Sequence, residues 1–199
     1  KQQAFVSSND TKPEALDELV DRAISMARNM PEDQYCGQAD PSLLAQTFPD
    51  LELYDPTERS PEELTASAKA AEEAALAIDG VTNSEGASAG MGSTSIALAT
   101  SGGFSGSYSS SYHSVGVSVI AGTGTGMERD YDYDSPRFLA DMRDPTEVGK
   151  LAGERAVKAL NPKKMPSGKV PVVYSNRISG GLLGHLAGAI TGAAIARGT

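Results

Sequence analysis

The chain has 199 residues, enough for one or two domains with a core of their own. A formal net charge of −9 and the lack of any run of five Lys/Arg exclude the basic patch that a nucleic-acid surface needs to displace counterions. The single cysteine, Cys36, excludes an internal disulfide framework and fits a reducing compartment.

The chain opens at Lys1 and shows no signal-peptide pattern. Residues 4–8 read as the end of a strand, and a turn at residues 8–13 leads into a helix with Leu16, Leu19, Val20, Ala23, Ile24 and Ala27 at helical spacing. Pro31 stops it. Residues 32–56 mix Gly, Pro and Asp, and predict loop with one helical turn near Leu43-Leu44 and a short strand at Leu51–Tyr54. Ser60-Pro61-Glu62-Glu63 is a capping-box start, and the alanine-rich helix it opens is predicted to run to Ile78 before Asp79-Gly80.

From Val81 to Tyr133 the character changes to Val, Ile, Thr, Ser and Tyr punctuated by Gly. Residues 93–100 and 114–121 alternate small polar with apolar residues, as antiparallel strands with one buried face do, and Ser101-Gly102-Gly103 predicts a hairpin turn. Asp144-Pro145 opens another helix, which Asn161-Pro162 closes. Val170–Tyr174 reads as a short strand, and residues 178–196 as one long helix with Gly180, Gly184, Gly188 and Gly192 every four residues. That spacing is the small-xxx-small pattern of closely packed helices; the modest hydropathy and the central His185 count against a membrane span, and a helix packed in a soluble core fits the run equally well.

These elements predict an α+β fold, with an antiparallel or mixed sheet flanked by helices. The start of a second domain follows, a strand and then a long glycine-rich helix. The composition shift at residues 163–169 divides the chain into 1–165 and 166–199. The beginning at Lys1 reads as the interior of a strand and Arg197-Gly198-Thr199 as the end of a helix, so both domains are expected to be incomplete.

No complete catalytic or metal site emerges. Asp130-Tyr131-Asp132-Tyr133-Asp134 with Asp141 in twelfth place resembles a calcium loop, but Ser135 and Pro136 stand where the sharp turn needs Gly. The better reading is a strand with both tyrosines on one face and the aspartates in water. Gly122–Gly126 lacks the Lys-Ser/Thr pair of a phosphate loop and reads as a loop after a strand. His113 lies among many serines, none of them singled out as a nucleophile, and reads as a strand residue on a polar face. Cys36 has no basic neighbour to activate it.

Several segments together resemble the TldD/PmbA (TldE) family: Val170–Tyr174, Gly181–Ala189 and Arg197–Thr199, with Asp40-Pro41, Leu53–Pro56, Gly80–Gly86 and Asp144-Pro145 upstream. TldD-type members of the family carry H-E-x-x-x-H on the glycine-rich helix, where two imidazoles hold zinc and the Glu acts as general base. The matching positions here are Gly184, His185 and Ala189, so His185 stands at the Glu position and both ligand positions are lost. The resemblance therefore implies a PmbA/TldE-like, non-catalytic subunit with no catalytic, cofactor or metal residue of its own. It implies a bacterial cytoplasmic heterodimer in which a TldD-type partner holds the zinc and small unfolded peptides are degraded or matured. A role as modulator of DNA gyrase is also associated with the family. Direct nucleic-acid or membrane contact is not expected, and a homodimer is the arrangement open to the chain alone. Two other readings stay open, an independent hydrolase using serines near His113 and a scaffold that offers sheet edges to extended peptides.

Overall fold

A computed structural model describes residues 1–45 and 47–198, and it divides into two units, Lys1–Leu160 and Asn161–Thr199. In the first unit the elements are α1 (Pro13–Asn29), α2 (Pro61–Leu76), β1 (Val81–Ala99), β2 (Ser105–Ala121), β3 (Glu128–Asp134) and α3 (Pro145–Ala159). The strands form one antiparallel sheet in the order β1-β2-β3, and α2 and α3 cover one of its faces. This is the α+β arrangement expected, and its sheet is wholly antiparallel.

Each helix start has a local cause. Ser60 Oγ accepts from Glu63 N–H at 3.2 Å while Glu63 Oε2 accepts from Ser60 N–H at 2.7 Å, so the capping box is complete on both sides. Asp144 Oδ1 accepts from Thr146 N–H at 2.8 Å and Pro145 occupies the first turn of α3. Ser60→Ala should therefore cost about 1 kcal/mol in urea unfolding, since it orphans the Glu63 amide and half of the reciprocal pair. A cost within error of zero would show that the box adds nothing.

The hairpin turn forms where the sequence placed it. Thr100 N–H donates to Phe104 O at 2.9 Å, Gly103 N–H to Thr100 O at 3.1 Å, and Gly103 takes φ 91°, a conformation that only glycine adopts without strain. The strands on either side are far longer than residues 93–100 and 114–121, because β1 and β2 stay in register from Ser88↔Gly116 out to Ala99↔Ser105. Residues 81–92, rich in Gly, Ser and Ala, have little strand propensity of their own; the ladder holds them.

The core is built from small residues. Val115, Val117, Val119 and Ala121 of β2 face Ala71 and Ala75 of α2 and Val148, Ala152 and Ala156 of α3, all buried. A core without large side chains requires close approach, and glycines provide it. A β-carbon on Gly149 would lie 2.0 Å from Ala71 O, and one on Gly153 2.9 Å from Ala75 O.

Several sequence expectations are corrected. Residues 4–8 and Leu51–Tyr54 form no strand; among the described residues the second stretch contributes one backbone–backbone bond, Ser111 N–H to Leu53 O at 3.0 Å. α2 ends at Leu76, two residues short of Ile78. The helical turn expected near Leu43-Leu44 is Pro41–Leu43, capped by Asp40.

The second unit holds α4 (Asn176–Ala189) and α5 (Gly192–Arg197). Val170–Tyr174 is not a strand here, since among the described residues no chain runs beside it to complete a ladder. The single long helix is also interrupted at Ile190-Thr191, where Thr191 Oγ1 accepts from Ala194 N–H and starts α5 afresh. Among the described residues no helix is long and apolar enough to cross a membrane.

Candidate functional site

Two polar clusters lie inside the first unit, and neither was expected from the sequence. The first gathers on β2 around His113, which is 1% exposed rather than on a polar face. From Ser111 to Ala121 the odd-numbered residues of β2 are buried, and His113 follows the parity of Val115, Val117 and Val119, which pack under the helices. Its Nε2 lies 3.2 Å from Asp55 Oδ2, off the line that a hydrogen bond requires, and Nδ1 has no partner among the described residues.

Asp55 organises this cluster. Its Oδ1 accepts from Thr57 N–H at 2.9 Å, its Oδ2 from Leu139 N–H at 2.7 Å, and its own N–H donates to Ser111 Oγ at 2.7 Å. Ser111 Oγ in turn donates to Arg137 O at 3.3 Å. The cluster thus ties the segments around residues 55 and 137–139 to β2. Hydrogen bonds from the Thr57 hydroxyl, from Leu139 N–H and from Thr57 N–H hold the Asp55 carboxyl down at about 2; desolvation opposes them and His113 adds a smaller pull downward.

A carboxyl depressed on folding stabilises the fold fully above its unfolded value, about 3.9, and loses that contribution as pH falls through the folded value. The stability gap between the parent and Asp55→Asn should accordingly be full above about pH 4 and shrink toward pH 2. Paired urea titrations across that window test it; a gap independent of pH would contradict the assigned hydrogen bonds.

Chemically the cluster is a clamp rather than a nucleophile site. The Ser111 hydroxyl is spent on Asp55 N–H and Arg137 O, and Ser111 and His113 are both buried. No Ser–His pair of the kind catalysis uses is formed there.

The second cluster sits between β3 and α3. Asp132, 7% exposed, pairs with Arg143 Nη1 at 3.0 Å and with Arg155 Nη1, and Arg143 also donates to Tyr133 O. The strand reading of residues 130–134 holds, and Tyr131 and Tyr133 stack on one face with ring centroids 6.3 Å apart. The expectation that all three aspartates lie in water is corrected for Asp132, because two guanidiniums compensate its burial. Asp141 lies in a separate 3₁₀ turn, Leu139–Asp141, and among the described residues no three His, Cys, Asp or Glu side chains gather to hold a metal ion.

Gly122 and Gly124 take positive φ in the loop between β2 and β3, where Gly122 packs under Leu160; this is turn geometry. Cys36 is half-buried, with Sγ 3.5 Å from Gln3 Oε1. In the second unit Gly184, His185 and Ala189 are exposed on α4. One turn to either side of His185 stand Gly181, Leu182, Gly188 and Ala189, and α4 contains no Asp, Glu or Cys. A catalytic zinc takes three protein ligands, so the donor set of α4 does not fit that ion.

The segment that holds α2, the three strands and α3 matches the family model described as the PmbA/TldA metallopeptidase central domain, over residues 54–160. That is more than half of the chain, and the chain belongs to the PmbA/TldD family. The protein named metalloprotease PmbA from Escherichia coli O157:H7 is 39% identical over 192 residues, 96% of this chain and 43% of that protein. A PmbA homolog from Haemophilus influenzae is 34% identical, across 99% of this chain and 44% of its own length. The chain thus spans less than half the length of these relatives. A crystal structure from Bacteroides thetaiotaomicron, described as a modulator of DNA gyrase, superposes with a TM-score of 0.85 at 29% identity over 95% of this chain and 44% of that one. TldE from Thermococcus kodakarensis shares the fold, with a TM-score of 0.52 at 21% identity over 76% of this chain and 33% of that one.

Proposed function

We propose that this chain is part of a PmbA/TldE-like subunit that holds no catalytic zinc and works in a heterodimer with a TldD-type subunit. The complex acts in the cytoplasm on small, unfolded peptides, and the partner supplies the metal and the cleavage chemistry. The resemblance supports this reading: the positions of α4 that match the H-E-x-x-x-H of TldD-type members are Gly184, His185 and Ala189, and none of the three is a zinc ligand of that motif. A lone imidazole cannot hold a catalytic zinc, and no carboxylate on α4 could activate its water. The acidic net charge of −9 and the family match support a peptidase setting over nucleic-acid contact.

The test uses the full-length protein, alone and mixed with a TldD-type subunit, on a fluorogenic unstructured peptide. The isolated protein should be inactive, the mixture active, and His185→Ala should leave the mixture unchanged. Cleavage by the isolated protein that a chelator abolishes would overturn the proposal.

A further inference from the structure

We infer that the groove beside the open edge of β2 holds an extended peptide with apolar and basic side chains, added to the sheet as a further strand. This deepens the peptide-handling role proposed above and rests on it for the identity of the occupant; the geometry stands by itself.

The edge is open because β3 is short. β3 pairs with β2 only between Val115 and Ala121. Upstream the same edge is closed by two isolated bonds, His113 N–H to Pro136 O at 2.9 Å and Ser111 N–H to Leu53 O at 3.0 Å. Amides two residues apart point the same way, so Ser109 and Ser107 present the next donors and acceptors on that edge. Among the described residues they have no backbone partner there. Exposed edges are ordinarily guarded by Lys, Pro or a bulge. Residues 105–110, Ser-Gly-Ser-Tyr-Ser-Ser, contain none of these guards, and the register with β1 is regular through them.

The edge opens into a groove of about 1080 Å³. Ser107 and Ser109 line it together with Phe48, Leu51, Leu53 and Phe138. Phe48 meets Phe104 edge to face at 5.6 Å. The walls are set in place beforehand: the Asp55 and Ser111 clamp anchors the segments carrying Leu53 and Phe138, and Glu52 is held at φ 49° with its N–H on Asp50 Oδ1. A strand entering there would gain main-chain bonds from β2 and place alternate side chains against the apolar wall.

Charge selects among the polypeptides that could fit. Asp50 and Glu52 line the groove as exposed carboxylates, while Arg137, which also lines it, donates to Ser111 O at 3.4 Å. A basic peptide complements that rim, whereas a second copy of a chain with net charge −9 brings like charge to it.

The full-length protein, kept in chelator, is titrated with a fluorescein-labelled hexapeptide in which Leu alternates with Lys and Ser. Two relatives of the peptide are titrated beside it, one N-methylated at alternate amides and one with Glu for Lys. The parent peptide should bind, the N-methylated one about tenfold more weakly, and the Glu version more weakly still at low salt. Ser107→Pro removes an edge donor without touching the β1 ladder and should weaken the parent peptide about tenfold, while Ser107→Ala leaves it within about twofold. Equal binding of the parent and N-methylated peptides, or no binding, overturns the inference whether or not the proline variant folds. A self-dimer that Ser107→Pro dissociates would make a second copy the occupant and also overturn it. Zinc content and cleavage are read separately, so a failure here is distinguishable from a failure of the subunit assignment.

Discussion

Gly149→Ala is expected to destabilise the domain by about 3 kcal/mol or more, since its added methyl group would meet backbone at the shortest distance of any described glycine. The added carbon would stand 2.0 Å from Ala71 O and 2.8 Å from Ala71 C, both backbone atoms that cannot rotate away. Alanine gains about 1 kcal/mol of helix propensity over glycine. That gain is too small to offset driving α2 and α3 apart along a buried seam of Ala71, Ala75, Ala152 and Ala156. Gly153→Ala should act in the same direction but less severely, because part of its obstruction is the Ile78 side chain, 2.7 Å away, which can shift. Urea unfolding of the three proteins checks both, and a Gly149→Ala variant as stable as the parent would contradict the close helix crossing.

Asp132→Ala should cost about 2–4 kcal/mol. It removes the carboxylate shared by Arg143 and Arg155 and so cuts the tie between β3 and α3. The loss falls below that of a fully buried pair because both guanidiniums are about a third exposed and can turn toward water. Arg155→Leu combined with Asp132→Val should recover part of the loss, as removal of both partners leaves less uncompensated charge. A double-mutant cycle measures the coupling, and additive single effects would show that the pairs are incidental.

Much of the framework was legible because its signals are local. The Ser60 capping box, the turn at Ser101–Gly103 and the Asp144-Pro145 helix start each depend on a few adjacent residues, and each forms. The length of β1 was hidden because Gly, Ser and Ala enter a strand only through pairing, which is non-local. The burial of His113 could have been found by extending the Val115–Val119 alternation one step back; its polarity argued the other way until Asp55, 58 positions earlier, supplied a partner. Asp132 was harder, since its tyrosine neighbours are the more hydrophobic and yet face outward; the inward carboxylate makes sense only with Arg143 and Arg155 in place. The regular small-residue spacing lies on α4, whereas in the first unit a close helix crossing is made by Gly149 and Gly153 of α3. The groove has no sequence signal, because it depends on where β3 stops.

With Gly184, His185 and Ala189 where a zinc-binding helix would need two His and a Glu, the protein is proposed to hold no catalytic metal of its own. Metal analysis of the full-length protein, purified alone under zinc-replete conditions and again in complex with a TldD-type subunit, tests it most directly. Essentially no tightly held zinc is expected in the isolated protein, and one zinc per complex. One equivalent of zinc retained by the isolated protein after gel filtration would contradict it.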